Sequence, residues 1–146
     1  MSSIAETMAR DHQGCDEVFA NAEQAAADQD WPALEKQYGI FLNRMKRHFA
    51  MEEEVLFPAF EHETGMTSGP TEMMRHEHQE MRGLFDQMQA AIAAGDADEY
   101  LGLSETLLVM MQQHNRKEEE ILYRMMDQAL ASEAASLLAR LDEVAA

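Results

Sequence analysis

The feature that most narrows what this chain can fold into is a repeat of polar residues set inside apolar stripes. A shift of 66 residues lays His12 on His78, Gln13 on Gln79, Phe19 on Phe85, His48 on His114 and Glu52 on Glu118. The match continues past these positions, since Glu52-Glu53-Glu54-Val55-Leu56-Phe57 falls on Glu118-Glu119-Glu120-Ile121-Leu122-Tyr123. Each half therefore carries one histidine and, 36 residues later, a His-x-x-x-Glu. Two helical hairpins packed about a pseudo-twofold axis are what such a repeat predicts.

The stripes themselves are helical. Ala5, Met8, His12, Cys15, Phe19, Ala22 and Ala26 share one face of a first helix, over about residues 3–27, with Ser3 and Glu6 spaced for a capping box. Leu34, Tyr38, Phe41, Met45, His48, Glu52, Val55 and Ala59 mark a second, over about 32–61, which Pro58 is expected to stop. The segment Thr64 to Pro70 reads as a loop. Met74, His78, Met81, Phe85, Met88 and Ile92 line a third helix, about 70–94, ended by Gly95. Leu103, Leu107, Met110, His114, Glu118, Ile121 and Met125 line a fourth, about 97–130. A short helix over about 132–144 offers Leu137, Leu138, Leu141 and Val144 to cover one end. With thirteen methionines, much Ala, Glu and Gln, and few β-branched residues, the class is all-α and the expected fold an up-down-up-down four-helix bundle with a short fifth helix.

At 146 residues the chain is long enough to bury a core as a single domain. Eleven basic against twenty-eight acidic residues give a net charge of -17, which repels phosphate backbones and anionic lipid, so neither nucleic acid nor membrane is an expected partner. No apolar run is long enough to span a bilayer, and the N-terminus lacks a basic start followed by an apolar stretch. Together with a single cysteine, Cys15, this leads us to expect a cytoplasmic protein.

Histidine and glutamate four apart lie on one helix face, so both can point at one object in the core. Here that face is otherwise apolar. Two carboxylates and four imidazoles buried at one level carry a penalty of several kcal/mol per unpaired charge, which cations remove. The candidate ligands are His12, His48, Glu52, His78, His114 and Glu118. Mixed imidazole and carboxylate ligation suits iron, manganese or zinc, and carboxylates on facing helices are placed to bridge two ions. In the third helix His76 and Glu80 form a rival pair, but only His78 is in step with Met74, Met81 and Phe85. His62, near the end of the second helix, reads as structural or surface, Cys15 as core filler, Tyr38 and Tyr123 as core with action near the centre as their alternative, and Glu53, Glu54, Glu119 and Glu120 as solvated acidic faces outside the site, with a hydrogen bond to a ligand imidazole as theirs.

Arg10-Asp11-His12, His48 to Pro58, Glu77-His78 to Arg82, and His114 to Tyr123 together resemble the hemerythrin-like, or HHE cation-binding, family. The resemblance implies a left-handed bundle with an oxo- or hydroxo-bridged centre of two iron ions. It further implies that Glu52 and Glu118 bridge, that His12 and His48 bind one iron, and that His78 and His114 bind the other. Oxygen-carrying members have one more histidine, at the place of Met74, so this site is expected to be more symmetric and more open.

On that basis we expect a non-haem di-iron protein that reacts with a small diatomic or peroxidic ligand (oxygen, nitric oxide or peroxide) in sensing or detoxification. Reversible oxygen binding and iron storage or donation remain as alternatives. As an enzyme it would be an oxidoreductase acting on peroxide or nitric oxide, and no acid-base residue in the sequence decides between these roles.

Overall fold

The computed structural model describes residues 2–145, and among them all regular structure is helical. Helix α1 spans Ile4–Ala27 and α2 spans Trp31–Ala50; α2 runs without a break through a π-helical segment, Met51–Leu56, into α3, Phe57–Thr64. Helix α4 spans Pro70–Ala94, and α5, Ala97–Lys117, passes through a second π segment, Glu118–Leu122, into α6, Tyr123–Ala129. A 3-10 turn, Ala131–Glu133, leads to α7, Ala134–Asp142. The four rods of the bundle are thus α1, α2–α3, α4 and α5–α6. Rod one packs on rods two and four, and rod three packs on the same two, the closed ring of an up-down-up-down bundle.

Local chemistry fixes the ends. The Ser3 hydroxyl accepts from Glu6 N at 3.0 Å, Asp30 from Ala33 N at 3.3 Å, and Asp96 from Glu99 N at 3.0 Å, each satisfying a free amide of a first turn. Gly65 and Gly95 close α3 and α4 with φ of 72° and 67°, a conformation that costs glycine least. The start of α1 is also tied across the bundle: Asp127 of α6 accepts from Ile4 N at 2.8 Å and Ala5 N at 3.2 Å.

The buried apolar residues form two clusters. One holds Phe19, Phe41, Phe49, Phe85, Tyr100 and Leu107 with their neighbours; the other holds Ile4, Met8, Leu56, Phe57, Phe60, Leu122 and Met126, closed by Leu137 and Leu141 of α7. Along every rod the expected polar residues fall between the two, as in Met8–His12–Cys15 and Met74–His78–Met81. Leu138 and Val144 are half-buried against the second cluster, and Arg47 donates to the carbonyls of Leu141 and Val144 at the end of α7.

Two expectations fail at the π segments. The second rod runs to Thr64, past its expected end near residue 61, because the proline, which has no amide hydrogen to give, stands at the first turn after the wider coil. The extra residue in each π turn also rotates the rest of its rod. Phe60 is buried where Ala59 was expected, and Leu122 and Met126 are buried where Ile121 and Met125 were, leaving Ile121 56% exposed. Farther up the fourth rod the inward residues are Ser104 and Met111, with Leu103 and Met110 only half-buried. In the first stripe Ile4, not Ala5, is buried.

Candidate metal centre

Each rod delivers its polar residues to one layer. His12 comes from α1, His48 from α2 and Glu52 from the π turn after it; His78 comes from α4, His114 from α5 and Glu118 from the second π turn. All six are buried, with Glu52, His78 and Glu118 fully enclosed. The histidines lie in two pairs, His12 with His48 at 4.5 Å between ring centroids and His78 with His114 at 5.0 Å. Each glutamate sits between one ring of each pair. Glu52 Oε1 is 3.6 Å from His48 Nε2 and 3.1 Å from His78 Nε2, while Glu118 Oε1 is 3.2 Å from both His12 Nε2 and His114 Nε2.

The outward sides of the rings are held by a second set of carboxylates. The Nδ1–H groups donate from His12 to Glu119 at 2.7 Å, from His48 to Asp11 at 2.6 Å, from His78 to Glu53 at 2.6 Å and from His114 to Glu77 at 2.8 Å. With Nδ1 bonded outward, every Nε2 is aimed at the centre of the layer, the tautomer a metal-binding imidazole needs. Arg82 donates in turn to both oxygens of Glu53, Lys117 to Glu77 and Arg44 to Asp11. Gly14 lets Arg44 lie there, since a Cβ at that position would collide with its guanidinium. The reading of Glu53 and Glu119 as solvated faces outside the site is thus corrected. Asp11 and Glu77 were missed as site residues altogether, although the 66-residue shift that pairs His12 with His78 also pairs them.

Tyr123 likewise belongs to the site and not only to the core. Its hydroxyl donates to Glu52 Oε2 at 2.6 Å and lies 3.0 Å from Glu118 Oε1 and 3.3 Å from His12 Nε2. The π turn is the cause. Five positions along an α-helix turn about 140° beyond a full circle, and the wider coil removes much of that, so Tyr123 faces the same way as Glu118. Tyr38, by contrast, is a core residue whose hydroxyl donates to the Phe85 carbonyl at 2.7 Å. His76 lies on the surface, its side chain 79% exposed and 3.4 Å from Glu80, and His62 is exposed. Met74 is buried one turn before His78, and Cys15 is buried as a free thiol.

The electrostatics are those of a layer that lacks enough positive charge of its own. Burial opposes charging His12, but the hydrogen bond and negative charge of Glu118 overcome it and carry its pKa up to about 9. His78 reaches about 9 in the same way through Glu52 and Glu53. Burial and the neighbouring Glu118 push the Glu52 carboxyl up. Burial would do the same to Glu118, but the nearby proton of the Glu52 carboxyl and the positive charge of His114 hold it well below the usual carboxylate range. Burial and the charges of Glu118 and Glu52 push the Tyr123 phenol well up. Protons here do the work of cations.

Among the described residues, five buried side-chain atoms still have no hydrogen-bond partner: His48 Nε2, Glu52 Oε1, His78 Nε2, His114 Nε2 and Glu118 Oε2. All belong to the layer, and buried polar atoms are rarely left unpaired without a reason. Two overlapping sets have ligand atoms close enough to share an ion, Glu52 with His78, His114 and Glu118, and His12 with His48 and Glu118. This donor set fits a metal.

Comparison with known protein families matches residues 3–126 to the hemerythrin family, described as the hemerythrin HHE cation binding domain. Neither a curated protein nor a solved structure matches the chain at a significant level. The match takes in all four rods and every polar residue of the layer, and the chain belongs to the hemerythrin HHE cation-binding family.

Proposed function

We propose that the layer holds two iron ions, one on His12 and His48 and one on His78 and His114, with Glu52 and Glu118 bridging them. The observation that carries this reading is that each glutamate lies between one histidine of either pair, so that neither carboxylate belongs to one pair alone. Nitrogen and oxygen donors in this mixture suit iron, and their number leaves positions open on both ions. Iron bound there would exchange single electrons with a small ligand. The protein's own part is to orient four Nε2 atoms through the outer carboxylates and to keep bulk water out with an apolar cluster on either side. A groove of about 550 Å3 between α4 and α5, lined by Glu77, Val109, His114 and Lys117 among others, reaches the edge of the layer and is ample for a diatomic or peroxidic molecule.

The function best supported is reaction with oxygen, nitric oxide or peroxide, in sensing or detoxification. The test is metal analysis of the purified protein, then visible spectra as the reduced form meets each of the three. About two irons per chain, and a centre oxidised without return when the oxidant is removed, support the reading. A stoichiometry near one overturns the paired site. A spectrum restored by deoxygenation makes the protein a reversible oxygen binder, and iron that passes readily to a chelator makes it a store.

A further inference from the structure

The two halves of the layer are not equal. With Glu52 and Glu118 shared, each side has four candidate ligands, His78 and His114 completing one and His12 and His48 the other. The Tyr123 hydroxyl is an additional oxygen on the His12 and His48 side alone. Its oxygen is 2.6 Å from Glu52 Oε2, 3.0 Å from Glu118 Oε1 and 3.3 Å from His12 Nε2. Adjacent ligand atoms of a six-coordinate ion with bonds of about 2.1 Å lie about 3.0 Å apart. The phenol oxygen is thus spaced from three candidate donor atoms as a neighbouring ligand of the same ion is.

Packing alone does not require the hydroxyl. The repeat sets Phe57 on Tyr123, and the two rings occupy equivalent slots, Phe57 stacked 5.9 Å from His78 and Tyr123 5.7 Å from His12. Both come after a π turn by the same count, with the Phe57 amide bonded to the Glu52 carbonyl and the Tyr123 amide to that of Glu118. A phenyl ring fills the slot on one side, so the oxygen on the other has chemistry to do.

We propose that Tyr123 is itself a metal ligand, binding through its phenol oxygen the cation held by His12 and His48. The inference rests on the two-cation reading above. As the oxygen lone pair forms the bond to the metal, the O–H bond breaks and its proton is released to solvent, with no electron transferred. One side of the centre then has five protein donors, His12, His48, Glu52, Glu118 and Tyr123. The other has four, and small ligands go to that side.

The test compares the unsubstituted protein with Tyr123→Phe, each loaded with ferric iron and, separately, with zinc. Metal content, visible and near-ultraviolet spectra and protons released are measured. With iron, the unsubstituted protein should show a phenolate-to-iron charge-transfer band whose Raman lines shift when the tyrosines carry deuterated rings. With zinc it should show the near-ultraviolet band of an ionised phenol. Tyr38 and Tyr100 lie in the apolar cluster, so the signal assigns Tyr123. Tyr123→Phe should lose both bands, release one proton fewer, and hold one of its two ions about tenfold or more weakly. The spectrum of the unsubstituted protein is decisive even if the variant does not fold. Two metals bound with no phenolate signature overturn the tyrosine's role and leave the paired site standing, whereas a protein that takes up no metal overturns both.

Discussion

Glu52 and Glu118 are the residues whose loss should cost most, because each faces both histidine pairs. Glu52→Ala or Glu118→Ala should bring metal content from about two per chain to well below one, and the two variants should behave alike. Retention of one ion in full, measured by elemental analysis, would assign that glutamate to a single metal. His78 and His76 provide a sharper contrast. Two residues apart on a helix, they point about 160° apart, and only His78 is enclosed in the layer. His78→Ala should empty or distort the ion shared with His114, and His76→Ala should leave metal content and spectrum unchanged; the reverse would move the site to the outer face of α4. At this scale the sequence was most readable where apolar neighbours set the register, as Met74, Met81 and Phe85 do for His78. The outer carboxylates were hidden by their composition. Glu53 and Glu119 stand in acidic runs that look like any solvated face, and Asp11 and Glu77 reveal their role only once four Nδ1 atoms are seen to need acceptors.

Among the elements, the start of α1 depends on a residue more than a hundred positions away. Asp127→Ala would leave the amides of Ile4 and Ala5 without their acceptor and should destabilise the fold by about 1 kcal/mol. Urea denaturation would read this as a lower midpoint with the slope unchanged; no shift would mean that water replaces the carboxylate without cost. The helices and their hairpin order could be read from stripes at steps of three and four, from the Ser3 and Glu6 capping box, and from Gly95. The π turns could not. A single extra residue in a coil has no sequence signature when it falls inside Glu52-Glu53-Glu54 or Glu118-Glu119-Glu120, where nothing apolar marks the face. That one residue explains why Ile121 is outside, Phe60 inside and Tyr123 at the metal layer.

For the molecule as a whole, metal and protons compete for the same layer. His12 and His78, raised from 6.5 to about 9, contribute stability to the metal-free protein that is complete below pH 6.5 and is lost as the pH rises through 9. Cations need those rings unprotonated, so the loaded protein gains over the same range. The difference in thermal midpoint between loaded and metal-free protein should therefore widen from pH 6.5 to 9 by calorimetry; a difference that narrows would place the cations elsewhere. The sequence revealed the bundle and its polar layer because the two halves spell them twice. It did not reveal the two separate apolar clusters, which exist only once the rods are side by side. The layer also divides equally between the hairpins, three donors to each, in order of synthesis. His12, His48 and Glu52 all precede residue 66, so the three donors of the first hairpin are synthesised before any of the second. On the two-cation reading, an ion met by the first hairpin has one of its two bridging carboxylates at once and the other only when the later hairpin docks. On the proposed reading, iron supply during translation, and not only afterwards, should then set how much of the protein matures.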